Sequence, residues 1–108
     1  MAEQEVAQQT ELEASLDRVE GERRFLVHNV GDTAAHSVRF TVQAERGKNP
    51  PVSAHDLEHV FPIEQLQPGD LVSVGAIITP GTGLHFRGVV SWRNLDGSEQ
   101  ERVFYMSA

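Results

Sequence analysis

Apolar and polar residues alternate with a period of two along two long stretches of the chain. In residues 37–44, Val38, Phe40 and Val42 alternate with polar side chains. In residues 84–92, one side consists of Leu84, Phe86, Gly88, Val90 and Trp92. Successive side chains of a β-strand point to opposite faces, whereas helical spacing would scatter these residues. Each stretch is therefore predicted to be a strand with one face in a core and the other in water.

Three other segments have the composition of strands that are covered on both faces. Residues 23–30 and 103–106 are apolar on both parities, which is typical of central strands. In residues 70–79, Leu71 and Ile77 lie on the reverse side of an apolar stripe formed by Val72, Val74, Ala76 and Ile78. We expect this strand also to be covered on both faces.

The amino-terminal part of the chain allows two interpretations. Leu12, Ala14 and Leu16 alternate with polar residues, which favours a strand over residues 10–19 that forms a hairpin with the next strand through the turn at Glu20-Gly21-Glu22. The alternative is a short helix over residues 3–17. In the preferred interpretation residues 1–9 form a polar, frayed segment.

Turn signals divide the chain into about seven strand-length segments. They include Pro68-Gly69, which is typical of a type II turn, and Asp96-Gly97, which is typical of a hairpin loop. This spacing predicts an all-β sandwich of about seven antiparallel strands, as one domain over residues 10–108. Its core is predicted to consist of Phe25, Val27, Val38, Phe40, Val42, Val74, Ile78, Phe86, Val90 and Trp92.

One long stretch, residues 45–67, lacks the alternating pattern. Pro50-Pro51 and Pro62 exclude an ordinary central strand there. A short edge strand of Val60, Phe61 and Ile63 is the only element that we expect in this stretch.

Charge and cysteine content exclude several classes of function. The net charge of -7 is concentrated at the amino terminus, where residues 1–22 carry seven acids and one base. No cluster of Lys and Arg is available to bind a phosphate backbone, so a nucleic-acid partner is not expected. The absence of cysteine excludes disulfides and thiolate metal sites. No segment has the pattern of a signal peptide or membrane span, so we expect a cytoplasmic protein if the chain is the full gene product.

Four motifs occur in an order that suggests a family. They are Asn29-Val30-Gly31-Asp32, Val38-x-Phe40-x-Val42, Leu66-x-Pro68-Gly69-Asp70 and Trp92-Arg93-Asn94-x-Asp96-Gly97. From about residue 10 to residue 107 the chain resembles the bacterial immunoglobulin-like β-sandwich domains of the CARDB-type group. The resemblance implies an immunoglobulin-like sandwich that acts as an interaction or spacer module.

The string His55-Asp56-Leu57-Glu58-His59 matches the H-x-x-E-H pattern of inverzincin metallopeptidases. In such a site two histidines one helical turn apart bind zinc and the glutamate activates a water molecule. Because prolines bracket the string, we expect a solvated loop instead of the required helix. No catalytic residue, metal site or cofactor is therefore predicted. A small metal-dependent hydrolase using His55, Glu58 and His59 remains the alternative to a binding function.

Five polar side chains are predicted to point outward from the two clearest strands: Arg39, Thr41, His85, Arg87 and Arg93. If the third and sixth strands are neighbours, they form a basic, hydrogen-bonding face for an acidic segment of a partner protein. The other reading is an ordinary solvated sheet face. We expect a non-catalytic module that acts through protein–protein contacts with an unknown protein partner. A structural subunit that self-associates into a homo-oligomer through its acidic amino terminus is a further alternative.

Overall fold

The structure is a computed structural model that describes residues 10–108. The segment 1–9, for which a polar, frayed conformation is expected, lies outside the described residues. Within residues 10–108 no helix is long and apolar enough to span a membrane.

Seven antiparallel strands form two sheets that pack face to face. The strands are β1 (Leu12–Val19), β2 (Glu22–Asn29), β3 (Ala35–Ala44), β4 (Ile63–Leu66), β5 (Leu71–Gly75), β6 (His85–Arg93) and β7 (Glu99–Ser107). The smaller sheet has the order β1-β2-β5 and the larger has the order β4-β3-β6-β7. One helix, α1 (Ala54–Val60), lies between β3 and β4. The predicted all-β sandwich is confirmed.

The amino-terminal strand is also confirmed, and the helix considered over residues 3–17 is wrong where the structure describes it. β1 pairs with β2 along its whole length, from Leu12 opposite Asn29 to Val19 opposite Glu22. The hairpin turn has positive φ at Glu20 (51°) and Gly21 (86°), the combination that matches the twist of paired strands. Leu12 is fully buried, so the alternation buries one face of β1 in the core.

The core lies between the two sheets and is built around aromatic side chains. The ring of Phe25 on β2 lies 5.9 Å, centroid to centroid, from that of Phe86 on β6 and 6.2 Å from that of Phe40 on β3. Each buried Phe stabilises the fold by about 1.5–3 kcal/mol. All ten predicted core residues are buried except Ile78, which is half-buried.

A fully buried asparagine joins the two sheets at one end. Asn29, the last residue of β2, donates from Nδ2 to the carbonyl oxygens of Thr33 (3.0 Å) and Leu66 (2.9 Å), and Leu66 belongs to β4 in the other sheet. Its Oδ1 accepts from the N–H of Gly31 (2.9 Å). The N–H of Gly69 donates to the backbone oxygen of Asn29 (2.8 Å). Two of the four sequence motifs therefore meet here, and we call this cluster the asparagine junction.

The strand predicted over residues 70–79 is shorter than expected and is not covered on both faces. β5 ends at Gly75, and the N–H of Ile77 donates to the carbonyl of Pro51 (2.6 Å) instead of to a strand. This bond draws the chain away from β2. Leu71 and Ile77 are 55% and 47% exposed. The prediction that both faces of this strand are covered is therefore wrong.

Two predictions for the last strands are also wrong. Leu84, expected on the inner side, precedes β6 and is 55% exposed. The segment 103–106, expected to be central, belongs to β7 at the edge of the larger sheet. β7, like β6, turns one parity toward the smaller sheet and the other to solvent, so Val103 and Tyr105 are 39% and 81% exposed.

The solvated loop expected at His55–His59 is a helix. Ser53 caps the amino terminus of α1 by accepting a hydrogen bond from the N–H of Asp56 (3.3 Å), which satisfies one of the donors that a helix leaves free. Leu57 and Val60 pack against the core, so burial of one side stabilises the short helix. Val60 therefore ends a helix, and the expected edge strand is displaced to Ile63–Leu66.

Candidate functional site

The five predicted binding residues lie on the outer face of the larger sheet. β3 and β6, the third and sixth strands, pair antiparallel, as the prediction required. All five side chains are exposed. Their outward neighbours on β7 follow from the register of β6 and β7. We call this surface the arginine face; its outward residues are Arg39, Thr41, Gln43, His85, Arg87, Val89, Ser91, Arg93, Glu99, Glu101, Val103 and Tyr105.

An irregularity in β3 determines which of its residues reach this face. Ser37 has a positive φ of 50°, and the pairing with β6 shifts register between His36 and Arg39. Such a bulge adds one residue to the strand and resets the alternation. Ala35 and Val38, three positions apart, are consequently both buried, and Arg39 points to solvent.

At one end of the face, two arginines border a shallow polar depression of about 190 Å³. Its lining includes Arg39, Arg93, Ser37 and Ser91, with Glu99 at one side. Arg93 Nη2 lies 3.9 Å from Glu99 Oε2, and both side chains are at least half exposed. An exposed pair at this distance contributes little to stability, so the Arg93 guanidinium is available to another carboxylate.

At the other end, Arg87 lies beside the most exposed aromatic side chain of the described chain. Arg87 is the cross-strand partner of Tyr105, whose side chain is 81% exposed. His85 Nδ1 is 3.1 Å from Ser107 Oγ, so the imidazole is held at the end of the strand. A concavity of about 380 Å³ opens here over Phe86. This end combines a guanidinium, a phenol and apolar surface.

The structure therefore does not gather the five residues into one cluster. Arg87 and Arg93 are six positions apart on β6, which corresponds to about 20 Å along a strand. Two rows of neighbours on three adjacent strands lie between them: Thr41, Val89 and Val103 on the side of Arg87, and Arg39, Ser91 and Glu101 on the side of Arg93. A ligand that contacts both ends must be extended and must place apolar or small groups over the first of these rows.

Seven of the twelve outward residues of this surface are not among those predicted from the sequence, and three of the seven are apolar or aromatic: Tyr105, Val103 and Val89. The alternation of the sequence could have identified two of them, because Tyr105 and Val103 lie on the side of the strand opposite to the buried Met106. The prediction covers both parities of residues 103–106 because both are apolar. The three residues form a surface because β6 and β7 turn this parity away from the smaller sheet.

The loop after Arg93 is held by hydrogen bonds that link the buried Trp92 to more exposed side chains. Trp92 Nε1 donates to Asn94 Oδ1 (3.0 Å), and Asn94 Nδ2 donates to Ser98 Oγ (3.0 Å). Both the hydroxyl (2.6 Å) and the backbone N–H (2.9 Å) of Ser98 donate to Asp96 Oδ1. These bonds stabilise the ionised carboxylate and lower the pKa of Asp96 below its ordinary value. The bond from the Ser98 hydroxyl is the largest cause.

The two histidines of the metallopeptidase-like string lie on one side of α1. Their rings are nearly parallel, 20° apart, with centroids 6.3 Å from each other, and both side chains are exposed. Within residues 10–108 no group of three or more His, Cys, Asp or Glu side chains is placed to hold a metal ion. α1 thus provides the helical spacing of His55 and His59 but not a complete ligand set.

The side chains of the arginine face are suited to binding a ligand. Its guanidinium groups can bind carboxylates through two parallel hydrogen bonds, and its tyrosine and valines can bury apolar area. A comparison of the chain with protein-family models, with curated proteins and with solved structures found no match in any of the three.

Proposed function

We propose that this protein is a non-catalytic interaction module whose arginine face binds an extended, acidic segment of another protein. The observation that carries the proposal is the pairing of Arg87 with the 81% exposed Tyr105 on a face that also presents Arg39 and Arg93. Arginine and tyrosine are enriched among the residues that dominate protein–protein binding energy.

The spacing of the face supports an extended ligand. Two guanidinium sites about 20 Å apart match the ends of a peptide of about six or seven residues in strand conformation. The row of Thr41, Val89 and Val103 suits small apolar side chains between two acidic ends. A compact ligand would reach only one end.

We also propose that the domain is an immunoglobulin-like sandwich of the CARDB-type group. Two arrangements support this. The order β4-β3-β6-β7 against β1-β2-β5 resembles the way immunoglobulin domains extend their CFG sheet beyond strand C. The Asn29 and Pro68-Gly69 motifs, which carry the resemblance, lie in contact. Interaction is a common role of such modules and agrees with the proposed use of the arginine face.

A peptide titration followed by NMR tests the binding function. The probe is a peptide of about eight residues with alternating Glu and Val, and the matched probe replaces Glu by Lys. We expect the acidic peptide to shift backbone amide signals of β3, β6 and β7, and to bind more weakly as salt is added. The basic peptide should leave these signals unchanged.

Charge-reversal variants show whether the arginines are responsible. The double variant Arg87→Glu/Arg93→Glu should weaken binding about tenfold or more, because each change replaces attraction by repulsion. The control is Arg18→Glu/Arg46→Glu, which changes the net charge equally at exposed arginines outside the face. Equal loss in both double variants, or binding at another surface, would contradict the proposal.

A further inference from the structure

Within residues 10–108 the larger sheet ends in a long strand that pairs on one side only. β7 has nine residues, and within the described chain it pairs only with β6. Its sequence, EQERVFYMS, contains neither proline nor lysine, two residues that commonly protect an edge strand from pairing with another chain. Its charged residues are Glu99, Glu101 and Arg102, and Arg102 is already paired with Glu11 (2.8 Å). The opposite edge of this sheet, β4, has only four residues.

The register of a self-pairing follows from symmetry and from the length of the strand. Two copies related by a two-fold axis pair antiparallel and keep the same face outward. The central residue of β7 is Val103, so full overlap places Val103 opposite Val103. Glu101 then lies opposite Tyr105 of the second copy. A shift of the axis by one position to Arg102 would place two arginines opposite each other, which is unfavourable.

Charge complementarity favours a second copy over an unrelated strand. In the full-overlap register Glu101 of one copy lies two strands away from Arg87 of the other, with Tyr105 between them, because Arg87 is the partner of Tyr105. Two strand spacings separate their Cα atoms by about 10 Å, a distance that the two long side chains can bridge across Tyr105. Glu99 is brought toward His85 in the same way.

The free edge of the smaller sheet lacks this complementarity. The outward charged side chains of β1 are Glu13 and Asp17, both acidic. Self-pairing of β1 would bring four carboxylates together without an outward base on that strand.

We propose that β7 pairs antiparallel with β7 of a second copy of this chain, with Val103 on the two-fold axis. The two larger sheets become one continuous sheet of eight strands, and two arginine faces lie side by side on its outer surface. This pairing does not depend on the proposed binding of an acidic partner. It places Glu101 of each copy near Arg87 of the other, so the dimer and an acidic segment compete at that end of the arginine face. One strand pair buries less area than a standard interface of roughly 1,600 Å², so we expect a dimer of modest affinity.

Sedimentation equilibrium at protein concentrations up to about 1 mM tests the dimer. The 12.0 kDa chain should show a concentration-dependent rise toward twice that mass. Val103→Lys places two ammonium groups opposite each other and should weaken the dimer about tenfold or more. The control is Val19→Lys on the edge strand β1, since Val19 and Val103 are 37% and 39% exposed. A monomer at all concentrations, or equal weakening by both variants, would overturn the proposal.

Cysteine cross-linking tests the register, and the described chain has no cysteine of its own to interfere. Val103→Cys should form an intermolecular disulfide with itself under mild oxidation, because directly opposed Cβ atoms are about 4.5–5.5 Å apart. Glu101→Cys and Tyr105→Cys should cross-link with each other when mixed but should each cross-link poorly alone. Cross-linking through Val19→Cys instead, or a dimer that is lost on removal of residues 1–9 while Val103→Cys stays unlinked, would overturn the register and assign the contact to another segment.

Discussion

The asparagine junction and the arginine face both gather polar side chains, and the fold uses them in opposite ways. At the junction, Asn29 is fully buried, and its amide makes three hydrogen bonds to backbone groups of the loop between β2 and β3 and of β4. On the arginine face, Arg93 has one distant carboxylate contact. Within residues 10–108 no salt bridge engages Arg39 or Arg87. Polar groups satisfied inside the protein hold it together, whereas polar groups left to water remain available to a partner.

Arg24 on the smaller sheet lies between these two extremes. Its Nε donates to Ser73 Oγ (2.8 Å) across the strand pair, and its Nη1 lies 3.6 Å from Glu22 Oε1. The outer face of the smaller sheet thus uses its arginine internally. This contrast is the structural reason for assigning recognition to the larger sheet.

The largest effect is expected at the junction. Asn29→Ala leaves the carbonyls of Thr33 and Leu66 and the N–H of Gly31 without their buried partner, and each unsatisfied group costs about 1–3 kcal/mol. We expect the free energy of unfolding to fall by about 3 kcal/mol, a large part of the roughly 5–15 kcal/mol of a typical domain. Urea denaturation measures it.

The matched control for this change is Asn94→Ala. Asn94 also makes two side-chain hydrogen bonds but is only half-buried, so water can replace the lost amide. A cost of about 1 kcal/mol or less is expected. If the two variants lose the same stability, burial is not what distinguishes the junction.

The next effect concerns the inner side of β6, directly beneath the arginine face. A Cβ atom at Gly88 would lie 2.6 Å from Met106 Cε and 3.2 Å from the ring of Phe40. Gly88→Val should therefore destabilise the fold by about 1–3 kcal/mol through overpacking. At Gly75 on β5 the nearest atom to an added Cβ is Arg24 Nη1 at 3.8 Å, so Gly75→Val should be tolerated. Thermal unfolding followed by circular dichroism compares them, and equal losses would contradict the packing argument.

Much of the fold could be predicted because two-residue alternation reports burial directly. Val38, Phe40 and Val42 alternate as expected and are buried. Alternation gives no information where both parities of a strand are apolar, because it does not show which face another layer covers. Residues 103–106 are apolar on both parities, yet Val103 and Tyr105 face solvent. The helix at Ala54–Val60 was not predicted because the flanking prolines favour a loop, whereas the structure shows that Ser53 caps the helix between them.

The candidate site could be predicted by residue but not by shape. Alternation alone placed Arg39 and Arg87 outward, and both are exposed. The separation of the face into two ends, and the place of Tyr105 beside Arg87, depend on the register between β6 and β7. Register is set by long-range pairing, which a single sequence does not record.

A smaller loss of stability is expected from changing an arginine on the outer face of either sheet, and the loss should differ between the two sheets. Arg24→Ala removes the hydrogen bonds to Ser73 from a side chain that is 30% exposed, and should cost about 1 kcal/mol. Arg87→Ala removes an exposed side chain and should change the free energy of unfolding by less than about 0.5 kcal/mol. Chemical denaturation of both variants tests the contrast. Equal losses would show that Arg87 is used by the fold and would weaken the assignment of the arginine face.

The smallest effect is expected in the loop after β6, where hydrogen-bonded polar groups are fully exposed. The hydroxyl of Ser98 is the main cause of the lowered pKa of Asp96, so Ser98→Ala should raise that pKa part of the way toward 3.8, the backbone bond being retained. Because the folded state favours the ionised carboxylate, its contribution to stability is present above the unfolded pKa and is lost as the pH falls through the lower folded value. NMR titration of the carboxyl carbon measures the shift, with Ser15→Ala as the control. An unchanged Asp96 pKa in Ser98→Ala would mean that water competes successfully for these groups, and the loop would then resemble the arginine face more than the junction.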